Sequence, residues 1–251
     1  RRAGARRRAG ARQPRPGPRR AVAHPATIHI SRRNPRRRST PPAGTSRVLN
    51  ALTAAGYRIA DAPGDGAELI ERLKAGPTND IAKLPTRTVT ESLSLAEYQI
   101  WFGALPLRVR EQILERWGRP EEDPFYRAGD LDCGSFSISA YRCGNAVIGL
   151  QPARGYNIDP VKSYHDPALV PPHGYLAFYA WLELGFGADA VCHMGKHGNL
   201  EWLPGKAVAL SEDCYPEAVF GPMPHIYPFI VNDPGEGTQA KRRTQAVIVD
   251  H

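Results

Sequence analysis

The sequence predicts an α/β fold, a mixed sheet with flanking helices, on three observations. From Thr45 onward, stretches with helical apolar spacing alternate with short β-branched runs. The apolar run Ala188-Asp189-Ala190-Val191-Cys192 leads directly into a glycine-rich polar stretch, the spelling of a strand that ends in a tight loop. Ala246-Val247-Ile248-Val249 reads as a further strand close to the last residue, so the remaining strands of the sheet are expected beyond it.

Taken in order, Ser46 is placed to cap a helix carrying Val48, Leu49 and Leu52, which Gly56 ends. Tyr57-Arg58-Ile59-Ala60 follows as a short strand. A second helix carries Leu69, Ile70 and Leu73 and stops at Gly76-Pro77. Ser94-Leu95-Ala96-Glu97 spells a capping box that opens a helix with Tyr98, Trp101 and Leu105 on one side. After Pro106 another helix runs through Val109, Ile113 and Trp117 to Gly118. Residues 136–150 read as a hairpin: Phe136, Ile138 and Ala140 alternate, Gly144-Asn145 turns, and Val147 and Ile148 return. Tyr175 to Leu184 is apolar almost all round, which marks a buried helix. There is no internal repeat.

The net charge of +8 conceals a division. Residues 1–44 hold 14 of the 33 basic residues, all Arg, and none of the 25 acidic ones, so the remaining 207 carry a net charge of −6. A mixture of Arg with Ala, Gly and Pro has no core-forming pattern, so residues 1–44 are expected to be a disordered, dispensable tail and residues 45–251 the folded region. One reading of the tail is an arm for nucleic acid or an anionic surface. The favoured reading is a segment foreign to the protein, such as GC-rich DNA translated from a wrong start or frame, because Arg without Lys follows codon composition. No apolar run approaches the roughly 18 residues of a membrane span, and the N-terminus lacks the apolar stretch of a secretory signal. Cys133, Cys143, Cys192 and Cys214 show no metal-type pairing and read as reduced thiols in the cytoplasm.

The chemistry concentrates between His193 and Lys206. His193-Met194-Gly195-Lys196-His197-Gly198-Asn199-Leu200-Glu201-Trp202-Leu203-Pro204-Gly205-Lys206 contains two imidazoles, a carboxylate, two ammonium groups and three glycines. Following a strand of an α/β sheet, it occupies the position where such folds place ligand sites. His193, His197 and Glu201 are the candidate catalytic and metal-ligating residues: they can share a divalent ion, or one can take a proton while another holds the ion. A zinc-protease motif is excluded, since it needs Glu directly after the first His and Met194 stands there. A phosphate loop is excluded because six residues separate Gly198 from Gly205-Lys206 and Ala207 follows. His165, His173 and His225 read as structural, and Trp202 and Leu203 as core or pocket wall.

The same stretch closely resembles the large subunit of the aerobic, ATP-dependent cobaltochelatase, which is related to the large subunit of magnesium chelatase. The resemblance continues through Gln151-Pro152-Ala153-Arg154-Gly155-Tyr156-Asn157, Tyr164-His165-Asp166-Pro167, His173-Gly174-Tyr175-Leu176, Asn232-Asp233-Pro234-Gly235-Glu236-Gly237 and Lys241-Arg242-Arg243. It covers roughly residues 46–251, more loosely over 77–145. That subunit is far longer, so the chain looks like an internal fragment of a larger multidomain subunit. The resemblance implies insertion of Co²⁺ into hydrogenobyrinic acid a,c-diamide during cobalamin biosynthesis, with ATP and Mg²⁺ used by separate AAA-type ATPase subunits. The ring must lose two N–H protons, work suited to a base near neutrality, and imidazole with carboxylate suits a later first-row metal. Arg154, Lys196, Lys206 and Arg242 are the candidates for holding the macrocycle's peripheral carboxylates. Which of His193, His197 and Glu201 is base and which metal carrier stays open, as does insertion of Mg²⁺ into protoporphyrin IX. The class outside this family is a nucleic-acid-binding protein that uses the Arg-rich tail.

Overall fold

A computed structural model of the chain describes residues 26–30, 41–130, 133–156, 166, 168–195, 198–228 and 234–249. In chain order its elements begin with strand β1 (Ala26–Ile30), helices α1 (Pro41–Ala54) and α2 (Gly66–Ala75), strand β2 (Ser92–Ser94), and helices α3 (Leu95–Gly103) and α4 (Leu107–Trp117). Strands β3 (Tyr126–Arg127), β4 (Ser135–Ser137), β5 (Ala140–Cys143) and β6 (Ala146–Gly149) follow. The chain continues through helix α5 (His173–Trp181), strand β7 (Ala190–Met194), helix α6 (Tyr215–Phe220), strand β8 (His225–Pro228), helix α7 (Pro234–Arg243) and strand β9 (Val247–Val249).

Six strands form one mixed sheet in the order β5-β6-β1-β7-β8-β9. All its pairings are parallel except the β5-β6 hairpin. A second sheet, β2-β4-β3, is antiparallel. Both faces of the large sheet are covered. Leu49 of α1 and Leu69 and Leu73 of α2 pack on Cys143, Ala146, Ile148 and Met194 on one side. On the other, α5 is buried at every position because it packs against α3, α6, β2 and β4 and shares an apolar cluster with Val147 of β6 and Val191 of β7. Burying each such Leu or Phe side chain contributes about 1.5–3 kcal/mol. Ser94 makes the expected capping box, accepting from the Glu97 N–H while the Glu97 carboxylate accepts from the Ser94 N–H.

Four expectations need correction. The tail does not stay outside the fold throughout: Ala26–Ile30 is a central strand, paired in parallel with β6 through Ala26↔Ala146 and with β7 through Ala26↔Ala190. The other residues before Pro41 lie outside the described residues. Helix α1 starts at Pro41 rather than after Ser46, and inside it the Thr45 and Ser46 hydroxyls donate back to the Pro41 and Pro42 carbonyls instead of capping. Tyr57–Ala60 joins no sheet; Arg58 instead donates to Asn145 Oδ1 and accepts from the Asn145 N–H, bracing the β5-β6 turn. Phe136 belongs to the small sheet, so the hairpin proper runs only from Ala140 to Gly149.

The topology places the candidate site. In a parallel sheet all carboxyl ends lie on one side. Here the loops that follow β6, at Leu150–Tyr156, and β7, at Gly195, leave from that same side. The Gln-Pro-Ala-Arg-Gly and His-Met-Gly-Lys-His-Gly-Asn-Leu-Glu stretches, 40 residues apart in sequence, therefore meet.

Candidate active site at the carboxyl ends of β6, β7 and β8

His193 is the fourth residue of β7 and 1% exposed. The strand thus runs past Cys192, and the imidazole is part of the packed sheet face rather than of the loop. Gly195, at φ +121°, turns the chain sharply in a region that favours glycine. Lys196 and His197 lie outside the described residues, as does His165. Gly198 returns against the His193 ring so closely that an added Cβ would stand 2.0 Å from Cε1. Glycine is required there for the approach, not for a positive φ.

Glu201 sits in the short 3₁₀ turn Leu200–Trp202 and is fully buried, at 0% exposure. An ionisable carboxyl taken wholly out of water is costly unless it is paired. Tyr227 of β8 donates its hydroxyl to Glu201 Oε1 at 3.0 Å and accepts the Gly198 N–H at 2.6 Å. The Tyr227 ring meets His193 edge-on, centroids 4.7 Å apart at 86°. Burial, followed by the charge of Glu201, holds the Tyr227 phenol well above its ordinary range, so it stays a donor. Tyr227 is the functional residue that sequence reasoning missed. Its signal was weak, an aromatic at an inward-facing position of the strand spelled His225-Ile226-Tyr227-Pro228.

The turn is anchored from several directions. The Asn199 N–H donates to Gln151 Oε1 at 2.9 Å, its side-chain amide to the Pro152 carbonyl at 3.1 Å, and Tyr175 donates to Asn199 Oδ1 at 2.8 Å. Asn79, from outside every resembling string, donates to the Gln151 carbonyl and accepts the Ala153 N–H. Arg154 is 4% exposed and donates to the Trp202 carbonyl and, at 2.5 Å, to the Asp166 carbonyl. Arg243, 5% exposed, donates to the Glu201 carbonyl at 2.7 Å and the Lys206 carbonyl at 3.0 Å. Lys206 and Arg242 are exposed. The structure therefore gathers His193, Glu201 and Arg154, and leaves the Lys206 and Arg242 side chains at the surface.

The other histidines have structural partners. His173 accepts the Tyr98 hydroxyl at Nδ1, 2.7 Å, and donates from Nε2 to the Gly118 carbonyl, 3.1 Å. His225 pairs its Nδ1 with the Thr244 hydroxyl at 2.9 Å, and burial pulls it down to about 4. Cys214 collects the N–H groups of Lys206 and Ser211, each at 3.4 Å. Burial alone would raise its thiol; these donors and the Lys206 charge bring it below its ordinary value. Cys143, Cys192 and Cys214 form no disulfide among the described residues. Among the described residues no three His, Cys, Asp or Glu side chains form a metal site, and no helix is long and apolar enough to cross a membrane. His193 and Glu201 are the described members of the expected ligand set, His197 being outside the described residues.

Comparison with known proteins identifies the family. The family model described as CobN/Magnesium Chelatase matches residues 41–251. The chain is 61% identical over 210 residues to the aerobic cobaltochelatase subunit CobN of Sinorhizobium sp, covering 84% of this chain and 16% of that protein. It is 34% identical over 209 residues to the chloroplastic magnesium-chelatase subunit ChlH of Oryza sativa subsp. indica, covering 81% of this chain and 14% of that one. Among solved structures, the catalytic subunit of cobaltochelatase from Mycobacterium tuberculosis superposes with a TM-score of 0.76 at 42% identity, covering 91% of this chain and 20% of that one. The chain thus spans about a sixth of the length of the curated cobaltochelatase subunit. With the matched region taking in every strand after β1 and the whole of the described site, the chain belongs to the CobN/magnesium chelatase family.

Proposed function

We propose that this chain carries the metal-handling part of a cobaltochelatase large subunit, which inserts Co²⁺ into hydrogenobyrinic acid a,c-diamide in cobalamin biosynthesis. The observation that carries the reading is the buried Glu201 carboxyl, hydrogen-bonded to Tyr227 beside the His193 imidazole at the carboxyl ends of parallel strands. Buried ionisable groups concentrated at such a sheet end mark a reaction site better than a structural one. Replacing two ring protons by a dication calls for a proton acceptor and a temporary ligand at one place. His193, Glu201 and His197 are the residues to supply them: imidazole favours later first-row divalent metals, and the carboxylate adds the charge that draws the ion in. We assign the macrocycle's peripheral carboxylates to the cationic side chains of Lys196, Lys206 and Arg242. The greater identity to the cobalt enzyme's subunit, 61% against 34% for the magnesium enzyme's, supports cobalt as the substrate metal.

ATP turnover is assigned to separate AAA-type subunits using Mg²⁺, because no phosphate-loop spelling occurs in the sequence. The purified chain should therefore show no ATP hydrolysis above background in a phosphate-release assay. The thiols of Cys143, Cys192 and Cys214, outside any disulfide, support a cytoplasmic location. In the complete subunit assembled with its ATPase partners, Glu201→Gln should abolish cobalt insertion while macrocycle binding, followed by absorbance, is kept. Cobalt insertion at the wild-type rate by Glu201→Gln would remove Glu201 from the chemistry.

A further inference from the structure

The turn from Asn199 to Trp202 has four carbonyls to satisfy, and their partners separate into two kinds. The Asn199 and Leu200 carbonyls accept the Trp202 and Leu203 N–H groups, the ordinary bonds of a 3₁₀ turn. The Glu201 and Trp202 carbonyls are the orphan acceptors that any helical turn leaves at its end. Each is taken by a different buried arginine: Glu201 O by Arg243 Nη1 at 2.7 Å, and Trp202 O by Arg154 Nη1. Each arginine uses a further nitrogen to hold a second segment. Arg243 Nε donates to the Lys206 carbonyl at 3.0 Å, and Arg154 Nη2 to the Asp166 carbonyl at 2.5 Å. One comes from the loop after β6 and the other from the last residue of α7, 89 positions apart.

Buried arginines are costly, and two aimed at consecutive carbonyls of one short turn exceed what closing a loop needs. Water or a neutral side chain would satisfy those oxygens equally well. The planar fork does something else: it fixes two backbone segments at a set distance and angle. We infer that Arg154 and Arg243 are positioning residues, a pair of clamps that hold the backbone of Glu201 so that its carboxylate meets the metal substrate in one orientation. Arg154 thereby acts on the turn rather than on the macrocycle. The inference rests on the proposed role of Glu201 as a metal-side carboxylate, and its test separates the two.

The test is Co²⁺ titration of the 251-residue chain, followed by the visible ligand-field bands, with far-UV dichroism to confirm folding. Wild-type binding should be lost in Glu201→Gln. Arg243→Lys and Arg154→Lys keep the charge but lose the fork. They should bind Co²⁺ some 10–100-fold more weakly, about the usual effect of losing a group that orients a ligand, with altered bands and an unchanged fold. Guanidinium at sub-denaturing concentration should partly restore Arg243→Ala. If both lysine variants fold and bind Co²⁺ like wild type while Glu201→Gln does not, the clamps are scaffold and the inference falls. It falls equally if neither lysine variant folds. If Glu201→Gln binds Co²⁺ unchanged, the proposed role of Glu201 falls and this inference with it.

Discussion

Gly198 and Tyr227 are where single atoms decide the site. The His193 ring occupies the space that any side chain at position 198 would need, the added Cβ falling 2.0 Å from Cε1. Gly198→Ala must therefore displace either the loop or the imidazole, and overpacking of this kind costs about 1–3 kcal/mol. Urea unfolding should show that loss, together with a changed His193 resonance in a proton NMR spectrum. Tyr227→Phe tests the opposite case, in which volume is kept and polarity removed. It removes the hydroxyl that accepts the Gly198 N–H and donates to Glu201 Oε1, a cost of about 1–3 kcal/mol. A Tyr227→Phe chain as stable as wild type would show that the hydroxyl is dispensable to the fold.

At the level of elements, α5 shows how a polar residue can be bound into an apolar helix. His173 opens the helix with no exposure at all, held between the Tyr98 hydroxyl of α3 and the Gly118 carbonyl after α4. Next to it, Asp123 accepts the Gly174 N–H at 2.6 Å and the Tyr156 hydroxyl, which ties the helix start to the segment before β3. Burial pulls His173 below its ordinary value of 6.5, although the Gly118 carbonyl, Asp123, Glu121 and Glu122 oppose the shift. Above that value the imidazole is neutral in both the folded and the unfolded chain. As pH falls through it, the unfolded chain takes up a proton that the folded one resists, so stability declines on the acid side. Unfolding midpoints measured from about pH 7.5 down to about pH 5 should fall more steeply for wild type than for His173→Gln. Equal slopes would show that His173 does not carry this dependence.

At the scale of the molecule, the large sheet closes only because β1 lies between β6 and β7. The strand comes from residues 26–30, ahead of the region that the family model matches. Without it, β6 and β7 would each lose one neighbour and expose unpaired N–H and C=O groups in the middle of the sheet. Removing residues 1–25, which carry the Arg, Gly, Ala and Pro mixture, should leave the melting midpoint unchanged. Removing residues 1–40 should lower it sharply and promote aggregation. Identical melting of the two truncated chains would mean that β1 contributes nothing to the fold in solution.

Much of the architecture is legible because it depends on local patterns. Ser94-Leu95-Ala96-Glu97 specifies its cap within four residues, and α2, α4 and the apolar α5 follow from periodicity and the glycines and prolines that stop them. The strand before His193 and the mixed sheet are equally readable. Local rules fail where another segment competes. Ser46 has the spelling of a cap, but the chain has already begun its helix at Pro41. Tyr57–Ala60 has strand spelling, but its hydrogen bonds go to Asn145. For the site, spelling alone marks His193 and Glu201, because histidine, glycine and carboxylate crowded after a strand are rare without a purpose. It could not supply Tyr227, Gln151, Asn79 or Arg243, which reach the turn from 26, 50, 122 and 42 residues away. Nor could it tell that Arg154 turns inward while Arg242 stays exposed. The sequence by itself determined the fold class, the family and the candidate stretch for the chemistry, since periodicity and motif spacing are properties of neighbours along the chain. Only the tertiary structure decided that a strand from residues 26–30 completes the sheet, that Glu201 is buried on Tyr227 and that its backbone is held by two arginines, because each is a meeting of segments that the order of residues leaves far apart.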